Sequence, residues 1–356
     1  MTTSGRKLKI LLLADPMANA KQWISGMEKY GNAEVVNLYL QNRGKLKRTI
    51  EWVLLLFTIK KKINRINPDI VIGYRITSYG FLAAWSRFKP CVIAAQGVTD
   101  VWPEDHWTTP FKAMIARYAI RHADLIHAWG NNMVSSILKY GANESRVFVM
   151  PKGIDIDIFH SDEKKENKVH TFCVTRSLYP EYGHMLILTA FKRLIREGYD
   201  LELIIAGTGD LQTKMEEYIN ENKLEGFIKL VGKVSMAEIY NILNRSNVYI
   251  SMPETEGVSA SLFEAMACGC FPIVSDLPAN SFIVNDGENG YLVPVNNGDI
   301  LYEKIKKIIN DPGLLKKASI YNKEYVCENA DMKKNIGVFI EKYKEISMGY
   351  RRAGSV

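Results

Sequence analysis

Short, almost purely aliphatic runs alternate with longer amphipathic stretches along most of this 356-residue chain. Runs that are nearly continuous in Val, Ile and Leu predict strands buried on both faces, as in a parallel sheet. The amphipathic stretches between them predict helices, so the chain is a repeated βαβ pattern. The predicted strands are residues 8–14, 35–40, 70–73, 91–95, 125–128 and 147–150, then 171–174, 201–206, 228–231, 248–251 and 272–275.

The pattern is interrupted once, at the uniformly polar segment 161–168. A chain of this length is too long for one ordinary domain and suits two. We therefore predict an α/β protein with two Rossmann-like, doubly wound domains, residues 1–160 and 169–335, joined by a linker at 161–168. Two such domains facing each other across a cleft would bind ligands at the carboxyl ends of their strands.

The charge is divided unevenly between the two halves. Residues 1–155 carry 22 Lys and Arg against 11 Asp and Glu, a net +11, whereas the remainder carries 24 against 28, a net −4. Such asymmetry predicts an anionic partner for the first half, either a membrane surface or a nucleic acid. The chain shows no helix-turn-helix, zinc or RNP-type pattern, so we predict no nucleic acid partner.

Residues 45–65 place an apolar stretch, 52–59, between clusters of Lys and Arg. The stretch is too short to span a bilayer, but a helix of this kind can lie in the interface of an anionic membrane. The alternative is an ordinary helix that packs on the first sheet with solvated ends. The surrounding positive charge favours the membrane interface.

The loop at 252–257 follows a predicted strand and leads into a helix that we expect to open near Ser261. Ser261 and Glu264 have the spacing of a capping box, and Gly269 is placed to end the helix. Amides at such a helix start are available to an anion, and the helix dipole favours negative charge there. Glu256 and Glu264 flank the site and could accept from sugar hydroxyls. The alternative is that Glu264 only caps the helix and Glu256 is a solvated loop acid.

The stretch EGVSASLFEAMACGCFPIVSD closely resembles the Glu-x7-Glu signature of glycosyltransferase family 4, a retaining group with the GT-B fold. Residues 149–159, 172–194, 201–215 and 228–234 resemble further elements of that family in the same order. Arg-Ser-Leu-x-Pro-x-Tyr at 176–182 resembles one branch of it. The resemblance implies a GT-B protein whose last helix, 336–356, returns to the first domain. It also implies a nucleotide diphosphate sugar donor, predicted to be a UDP-sugar, and no metal.

Position by position, the resemblance implies that Arg176 contacts the donor diphosphate, Glu264 the ribose and Glu256 the donor sugar. Arg176, Glu256 and Asp100 are the predicted catalytic residues. The predicted donor-binding residues are Arg176, Tyr182, Gly207, Gly209, Gly232, Lys233, Val234, Glu256, Gly257, Val258, Ser259, Ala260, Ser261, Leu262 and Glu264.

Two positions depart from the family pattern. Tyr182 stands where a Lys is common, so it can donate to a phosphate but brings no charge. Gln96 stands where many members have a His near the reacting carbon. Asp100 is the best candidate for a polar group beside the acceptor hydroxyl, the alternative being a helix-capping or turn residue. The predicted acceptor-side residues are Ala18, Asn19, Gln96, Gly97 and Asp100.

The sequence thus predicts a cytoplasmic, retaining glycosyltransferase, peripheral at the inner face of the cell membrane. Its acceptor is predicted to be a glycan, lipid-linked, in bacterial surface polysaccharide or glycoconjugate synthesis. Two alternatives remain open at this point. One is a sugar-nucleotide epimerase or hydrolase on the same fold, and the other is a non-catalytic partner subunit of another transferase, which the departures at Gln96 and Tyr182 keep open.

Overall fold

A computed structural model describes residues 6–16, 18–41, 44–97, 107–161 and 170–353 of the chain. The chain divides into two compact units. Unit 1 comprises Met1–Lys152 together with Met332–Val356, and unit 2 comprises Gly153–Asp331. Each unit is built on one six-stranded sheet whose neighbouring strands are all parallel, so the prediction of two doubly wound α/β domains is confirmed.

The sheet of unit 1 has the strand order β2-β1-β3-β4-β5-β6. Its strands are β1 Leu8–Leu13, β2 Ala33–Leu38, β3 Ile70–Tyr74, β4 Cys91–Ala95, β5 Leu125–Ala128 and β6 Val147–Val149. Its helices before unit 2 are α1 Ala18–Tyr30, α2 Lys45–Ile66, α3 Phe81–Trp85, α4 Thr109–His122 and α5 Val134–Lys139. The three strands β3, β4 and β5 are buried at every residue, which explains why their sequences are apolar without alternation.

The sheet of unit 2 has the order β12-β11-β10-β7-β8-β9. Its strands are β7 Thr171–Thr175, β8 Glu202–Ala206, β9 Ile228–Gly232, β10 Val248–Ser251, β11 Phe271–Ser275 and β12 Tyr291–Val293. Its helices are α6 His184–Arg196, α7 Gln212–Glu221, α8 Met236–Arg245, α9 Ala260–Ala267, α10 Pro278–Ser281, α11 Gly298–Asn310 and α12 Gly313–Asn329.

Alternate residues of the unit 2 strands enter two separate hydrophobic clusters. On β7, Phe172 and Val174 belong to one cluster and Cys173 to the other; on β8, Leu203 and Ile204 divide in the same way. Successive strand side chains point to opposite faces of a sheet, so both faces are covered by apolar layers. This is the arrangement that the uninterrupted aliphatic runs predicted.

All eleven predicted strands are present, three with the predicted ends and the others with ends that differ by at most two residues. The sequence analysis missed β12, which has only three residues. A run that short carries no readable periodicity, because an apolar triplet is equally consistent with a loop. In the part of the chain that the structure describes, no helix is long and apolar enough to cross a bilayer.

The boundary between the units differs from the predicted one. Unit 2 begins at Gly153 rather than after residue 160, because Ile154 and Phe159 are buried in a hydrophobic cluster of unit 2 and Ile154 forms a bridge with Asp331. The predicted linker, 161–168, lies outside the described residues except for Ser161.

The last helix, α13 Met332–Ala353, belongs to unit 1 and begins four residues before the predicted start at 336. Phe339 and Tyr343 of this helix are fully buried. The Tyr343 hydroxyl lies 2.6 Å from Nδ1 of the buried His127 on β5, whose Nε2 lies 2.8 Å from the Met150 carbonyl oxygen. These partners fit a neutral ring that accepts from Tyr343 and donates to Met150.

Candidate functional site

Unit 2 reverses its strand order at β7. The chain builds outward from β7 through β8 to β9 and then returns to the other side of β7 with β10. Because β7 and β10 pair in parallel, their carboxyl ends lie at the same edge of the sheet. Loops that leave two such strands in opposite directions open a crevice, which is where open α/β sheets bind ligands. Residues 176–183 follow β7 and residues 252–259 follow β10.

Arg176 joins the two loops at this crevice. Its Nη2 lies 2.8 Å from Oε2 of Glu256, and its Nη1 donates to the hydroxyls of Ser259 at 3.2 Å and Ser261 at 3.3 Å. The side chains of Arg176 and Glu256 are each only 12% exposed. The structure therefore brings together four residues that the sequence analysis assigned to donor binding.

The ion pair is held in surroundings with little water. Burial is the largest single influence and lowers the pKa of Arg176, but Glu256, Tyr249 and Tyr182 together outweigh burial and leave that pKa above its ordinary value. Removing one partner of such a pair leaves the other buried without compensation, which is strongly destabilising. An anionic ligand bound at this guanidinium would compete with Glu256 for it.

The helix after β10 begins two residues earlier than predicted. Ser259, not Ser261, is the N-cap of α9, and its hydroxyl accepts from the Leu262 amide at 3.3 Å. The predicted Ser261–Glu264 capping box is therefore wrong, because Ser261 lies inside the helix and Glu264 is five residues beyond the N-cap. The prediction that Gly269 ends the helix is confirmed, because it adopts φ +71° and donates to the Met266 carbonyl.

The start of α9 supplies backbone hydrogen-bond donors close to the Arg176 guanidinium. The amides of Ala260 and Ser261 precede the first intrahelical hydrogen bond, in which Phe263 donates to the Ser259 carbonyl. The dipole of the helix adds about half a positive charge at this end. Arg176 and the helix start together form a site suited to an anion with several oxygens, such as a diphosphate.

The ring of Tyr182 packs against the guanidinium of Arg176. Its ring centroid lies 4.4 Å from the Arg176 Cζ, within the range of a cation–π contact. Tyr182 ends a single 3-10 turn, Pro180–Tyr182. Where the family pattern has a Lys, Tyr182 thus adds no second positive charge. Its ring instead packs against the guanidinium of Arg176.

A buried histidine, His184, forms a hydrogen bond with the loop that carries Arg176. Nε2 of His184 donates to the Ser177 carbonyl at 2.8 Å, and burial lowers the pKa of this ring, which favours its neutral form. Gly183 precedes it with φ +67°, and a Cβ there would lie 2.5 Å from the Met252 carbonyl oxygen. The β7 and β10 loops can approach this closely only because position 183 has no side chain.

The two glycines after β8 pack against the same loop. A Cβ at Gly207, where φ is +154°, would lie 2.1 Å from the Arg176 carbonyl oxygen, and one at Gly209 would lie 2.4 Å from that of Leu178. Gly207 also donates to the Gly232 carbonyl at 2.8 Å. Gly207 and Gly209 were predicted to bind the donor; the structure gives them a clear packing role beside Arg176.

The other predicted donor residues are more dispersed. Gly257 donates from its amide to Oε1 of Glu256 at 3.2 Å. Val234, Val258 and Ala260 pack against a hydrophobic cluster of unit 2, Leu262 is fully buried, and Lys233 is exposed beyond the end of β9. The side chains that gather at the crevice are those of Arg176, Tyr182, Glu256, Ser259 and Ser261.

Unit 1 contains a polar network that the sequence analysis did not find. Asp15, just after β1, accepts from Arg48 of α2 at 2.6 Å and from the Tyr79 hydroxyl at 2.6 Å, and that hydroxyl accepts from the Leu40 amide. The order β2-β1-β3 makes the β1–β3 edge the switch point of this sheet. A cavity of 190 Å³ opens there, lined by Asp15, Leu40, Arg48, Trp52, Tyr74, Arg75, Ser78 and Tyr79.

The predicted acceptor-side residues are only partly described. Gln96 and Gly97 follow β4 and are half-buried, and Gln96 lies beside the buried hydroxyl of Tyr74. Ala18 and Asn19 open α1, but their side chains are not described. Asp100 lies outside the described residues, so its role stays a prediction.

Two family models match the chain in succession. Residues 14–158 match the model described as Glycosyltransferase Family 4, and residues 155–325 match the one described as Glycosyl transferases group 1. The chain is built from two glycosyltransferase domains. The group 1 domain contains the Arg176–Glu256 crevice, and the family 4 domain contains the Asp15 network.

Curated proteins similar to this chain include other glycosyltransferases. An uncharacterized glycosyltransferase of Methanocaldococcus jannaschii is 26% identical over 301 residues, which cover 79% of this chain and 75% of that protein. A phosphatidyl-myo-inositol mannosyltransferase of Mycobacterium tuberculosis is 30% identical over 158 residues, which cover 42% of this chain and 40% of that one. The second match thus spans less than half of the mannosyltransferase.

Solved structures establish the fold of the two glycosyltransferase domains as GT-B. Sucrose-phosphate synthase of Thermosynechococcus elongatus superposes with a TM-score of 0.80 at 14% identity, covering 96% of this chain and 100% of that one. HepE of Anabaena, in complex with UDP and glucose, gives 0.75 at 16% identity, covering 95% and 99%.

In the described ranges of the glycosyltransferase domains, no three His, Cys, Asp or Glu side chains are grouped so as to hold a metal ion. The Asp155-x-Asp157 pair forms a local turn instead, in which the Asp157 amide donates to the Asp155 carboxylate at 3.1 Å.

Proposed function

We propose that this protein is a retaining glycosyltransferase that transfers a sugar from a UDP-sugar to a glycan acceptor. The observation that carries the proposal is the position of Arg176, Ser259 and Ser261 at the switch point of the group 1 domain. A permanently charged fork beside a helix start suits the diphosphate of a nucleotide sugar. The fold shared with HepE, whose structure holds UDP-glucose, supports UDP as the carrier.

Transfer breaks the bond between the anomeric carbon and the diphosphate oxygen and forms a bond from that carbon to an acceptor oxygen. The acceptor proton passes to an oxygen of the leaving UDP, so no separate general base is required. Negative charge grows on the diphosphate as the bond breaks. Arg176 and the amides of Ala260 and Ser261 stabilise that charge, which is the largest contribution we assign to the protein. We assign Glu256 to the sugar and expect no metal.

The acceptor is proposed to be a lipid-linked glycan in the synthesis of a bacterial surface polysaccharide or glycoconjugate. The similarity to a phosphatidylinositol-directed mannosyltransferase supports a lipid acceptor, and residues 45–65 support a position at the inner surface of the membrane. The helix predicted there is α2. Its buried side packs against α3 and its outer side exposes apolar residues, and this exposed side is what supports the membrane interpretation over that of an ordinary packed helix.

The test is a donor panel with a membrane extract that supplies acceptors. We expect UDP release from one UDP-sugar to depend on the extract and the label to enter the lipid-linked glycan. Arg176→Ala should lower kcat by roughly a hundredfold or more, because it removes a hydrogen-bond donor to the charge that develops on the diphosphate. Arg193→Ala is the matched control, because Arg193 makes an exposed ion pair with Asp299 away from the crevice.

Other outcomes would replace this proposal. Rapid consumption of donor without any acceptor would identify an epimerase or hydrolase. A cell in which Arg176→Ala leaves the glycan unchanged, while deletion of the chain abolishes it, would identify a non-catalytic partner subunit.

A further inference from the structure

The outer side of α2 exposes a continuous apolar stripe. Leu46 is 75% exposed and Phe57 81% exposed, and residues 50, 53 and 54 between them are exposed as well. These positions fall on one face at helical spacing. Exposed apolar residues scattered singly need no explanation, but a contiguous stripe marks an interaction surface.

The opposite side of α2 fixes the orientation of this stripe. Arg48 pairs with Asp15, Trp52 stacks on Phe81 of α3 with ring centroids 5.9 Å apart, and Ile59 and Ile63 are buried. In a helix of 3.6 residues per turn, these positions lie opposite the exposed stripe. The packed side of the helix contacts Asp15 and α3, so the apolar stripe on the other side faces outward.

The apolar surface continues beyond α2 through Trp85. The Trp85 indole donates to the Leu56 carbonyl of α2 at 3.1 Å, and its ring packs against Tyr118 of α4 with centroids 5.8 Å apart. Trp85 itself remains partly exposed. It therefore bridges the two helices at the surface.

The start of α4 has exposed apolar side chains on the helix face that, by its spacing, also carries Tyr118. The helix buries three alanines and Ile120, while Phe111 and Met114 are exposed and Trp107, just before the helix, is 85% exposed. Burying the large side chains and exposing the alanines would stabilise a protein that meets only water. We define the α2–α4 face as Leu46, Ile50, Val53, Leu54, Phe57, Trp85, Trp107, Phe111 and Met114.

The two helices that carry the α2–α4 face are both basic. The sequence of α2 has seven Lys and Arg against one Glu, and that of α4 has three Lys and Arg and no acidic residue. A second copy joined through a two-fold axis would place these charges against themselves. An anionic lipid surface complements both the apolar residues and the cations around them.

We infer that the α2–α4 face docks as one unit on an anionic bilayer, so that α4 and Trp85 contribute to membrane attachment together with α2. This inference rests on the proposed membrane association and extends it to residues outside 45–65. Trp107 and Phe111 enter the interface beside Phe57, and the Lys and Arg of both helices contact lipid headgroups.

The test is sedimentation of the full chain with vesicles of phosphatidylglycerol and phosphatidylcholine or of phosphatidylcholine alone. The α4 variant is Trp107→Ser with Phe111→Ser, the α2 variant is Leu54→Ser with Phe57→Ser, and the control is Ile320→Ser with Tyr321→Ser, exposed on α12. We expect each face variant to lower partitioning onto anionic vesicles at least about tenfold, given the apolar area removed. The control should bind as the unaltered chain does, and phosphatidylcholine vesicles should bind weakly.

Unchanged binding of the α4 variant, with loss only in the α2 variant, would overturn the inference and restrict attachment to α2. A chain that sediments as a dimer and becomes monomeric in the face variants would show that a second copy covers the face. UDP binding by calorimetry without vesicles separates this result from the proposed function: retained UDP binding with no vesicle binding refutes only the membrane face.

Discussion

Glu256 lies 2.8 Å from Arg176 and neutralises the cation that we assign to the donor diphosphate. Ser259 and Ser261 occupy the other nitrogen of the same guanidinium. Glu256 therefore holds the Arg176 guanidinium in place, and a diphosphate bound by Arg176 would compete with this carboxylate. An anion that displaces Glu256 from Arg176 would free the carboxylate to accept from sugar hydroxyls.

Glu256→Gln separates diphosphate binding from sugar transfer. Glutamine keeps the shape of the side chain but removes the charge that competes with the diphosphate, so UDP should bind several-fold more tightly than to the unaltered chain. Transfer should nevertheless slow by about tenfold or more, because a neutral amide is a weaker acceptor for sugar hydroxyls. Calorimetry with UDP and the rate of transfer measure the two effects. Weaker UDP binding in this variant would show that Glu256 positions Arg176 rather than competing for it.

Tyr182 is expected to act through its ring. Tyr182→Ala removes the surface under the guanidinium and should weaken UDP binding by roughly tenfold, the value of a partly desolvated cation–π contact. Tyr182→Phe keeps the ring and should bind UDP within about threefold of the unaltered chain. If the Phe variant were as impaired as the Ala variant, the hydroxyl would be the group that contacts the phosphate.

Gly207→Ala tests the packing behind Arg176. The new Cβ would lie 2.1 Å from the Arg176 carbonyl oxygen, in a backbone conformation that side chains rarely adopt. We expect the free energy of unfolding to fall by roughly 2–4 kcal/mol and UDP affinity to fall with it. Gly226→Ala is the control, since no heavy atom lies within 4 Å of a Cβ there. Equal unfolding transitions in urea for the two variants would contradict the close approach of these loops.

His127 should make the protein less stable in mild acid. Burial lowers its pKa to about 4, whereas an unfolded histidine titrates near about 6.5. Between these values the unfolded chain binds a proton that the folded chain does not, so stability falls as the pH drops through this window. The contribution is roughly 2 kcal/mol between pH 7 and pH 5. In urea, the free energy of unfolding of His127→Gln should change less between pH 7 and pH 5, by this amount, than that of the unaltered chain. An equal change in both proteins would rule out a neutral His127 in the fold.

The elements that the sequence predicted well depend on local pattern. Aliphatic runs such as Ile70–Tyr74 are buried on both faces, so composition alone identifies them as strands. Arg176, Glu256 and Ser261 could be assigned from their motifs because short loops after adjacent strands meet at one edge of the sheet. The cap of α9 was misplaced by two residues because Ser259 and Ser261 are chemically equivalent candidates, and only the backbone conformation selects between them.

The elements that were missed depend on long-range contacts. Asp15 meets Arg48 and Tyr79 across 33 and 64 positions, and no motif marks these three residues as partners. The unit boundary lies at Gly153 because Ile154 pairs with Asp331, which no local pattern reveals. The exposed side of α4 was missed for the same reason: the burial of its alanines is set by the sheet below it rather than by its own sequence.

The central claim is that Arg176 and the start of α9 hold the diphosphate of a nucleotide sugar. Calorimetric titration of the purified chain with UDP tests it most directly, with Arg176→Ala and Arg193→Ala measured alongside. We predict saturable one-to-one binding of UDP. Arg176→Ala should weaken it at least about tenfold, because a charge-assisted bidentate contact is lost, and Arg193→Ala should leave it unchanged. Absence of UDP binding, or equal affinity in the Arg176→Ala variant, would contradict the account.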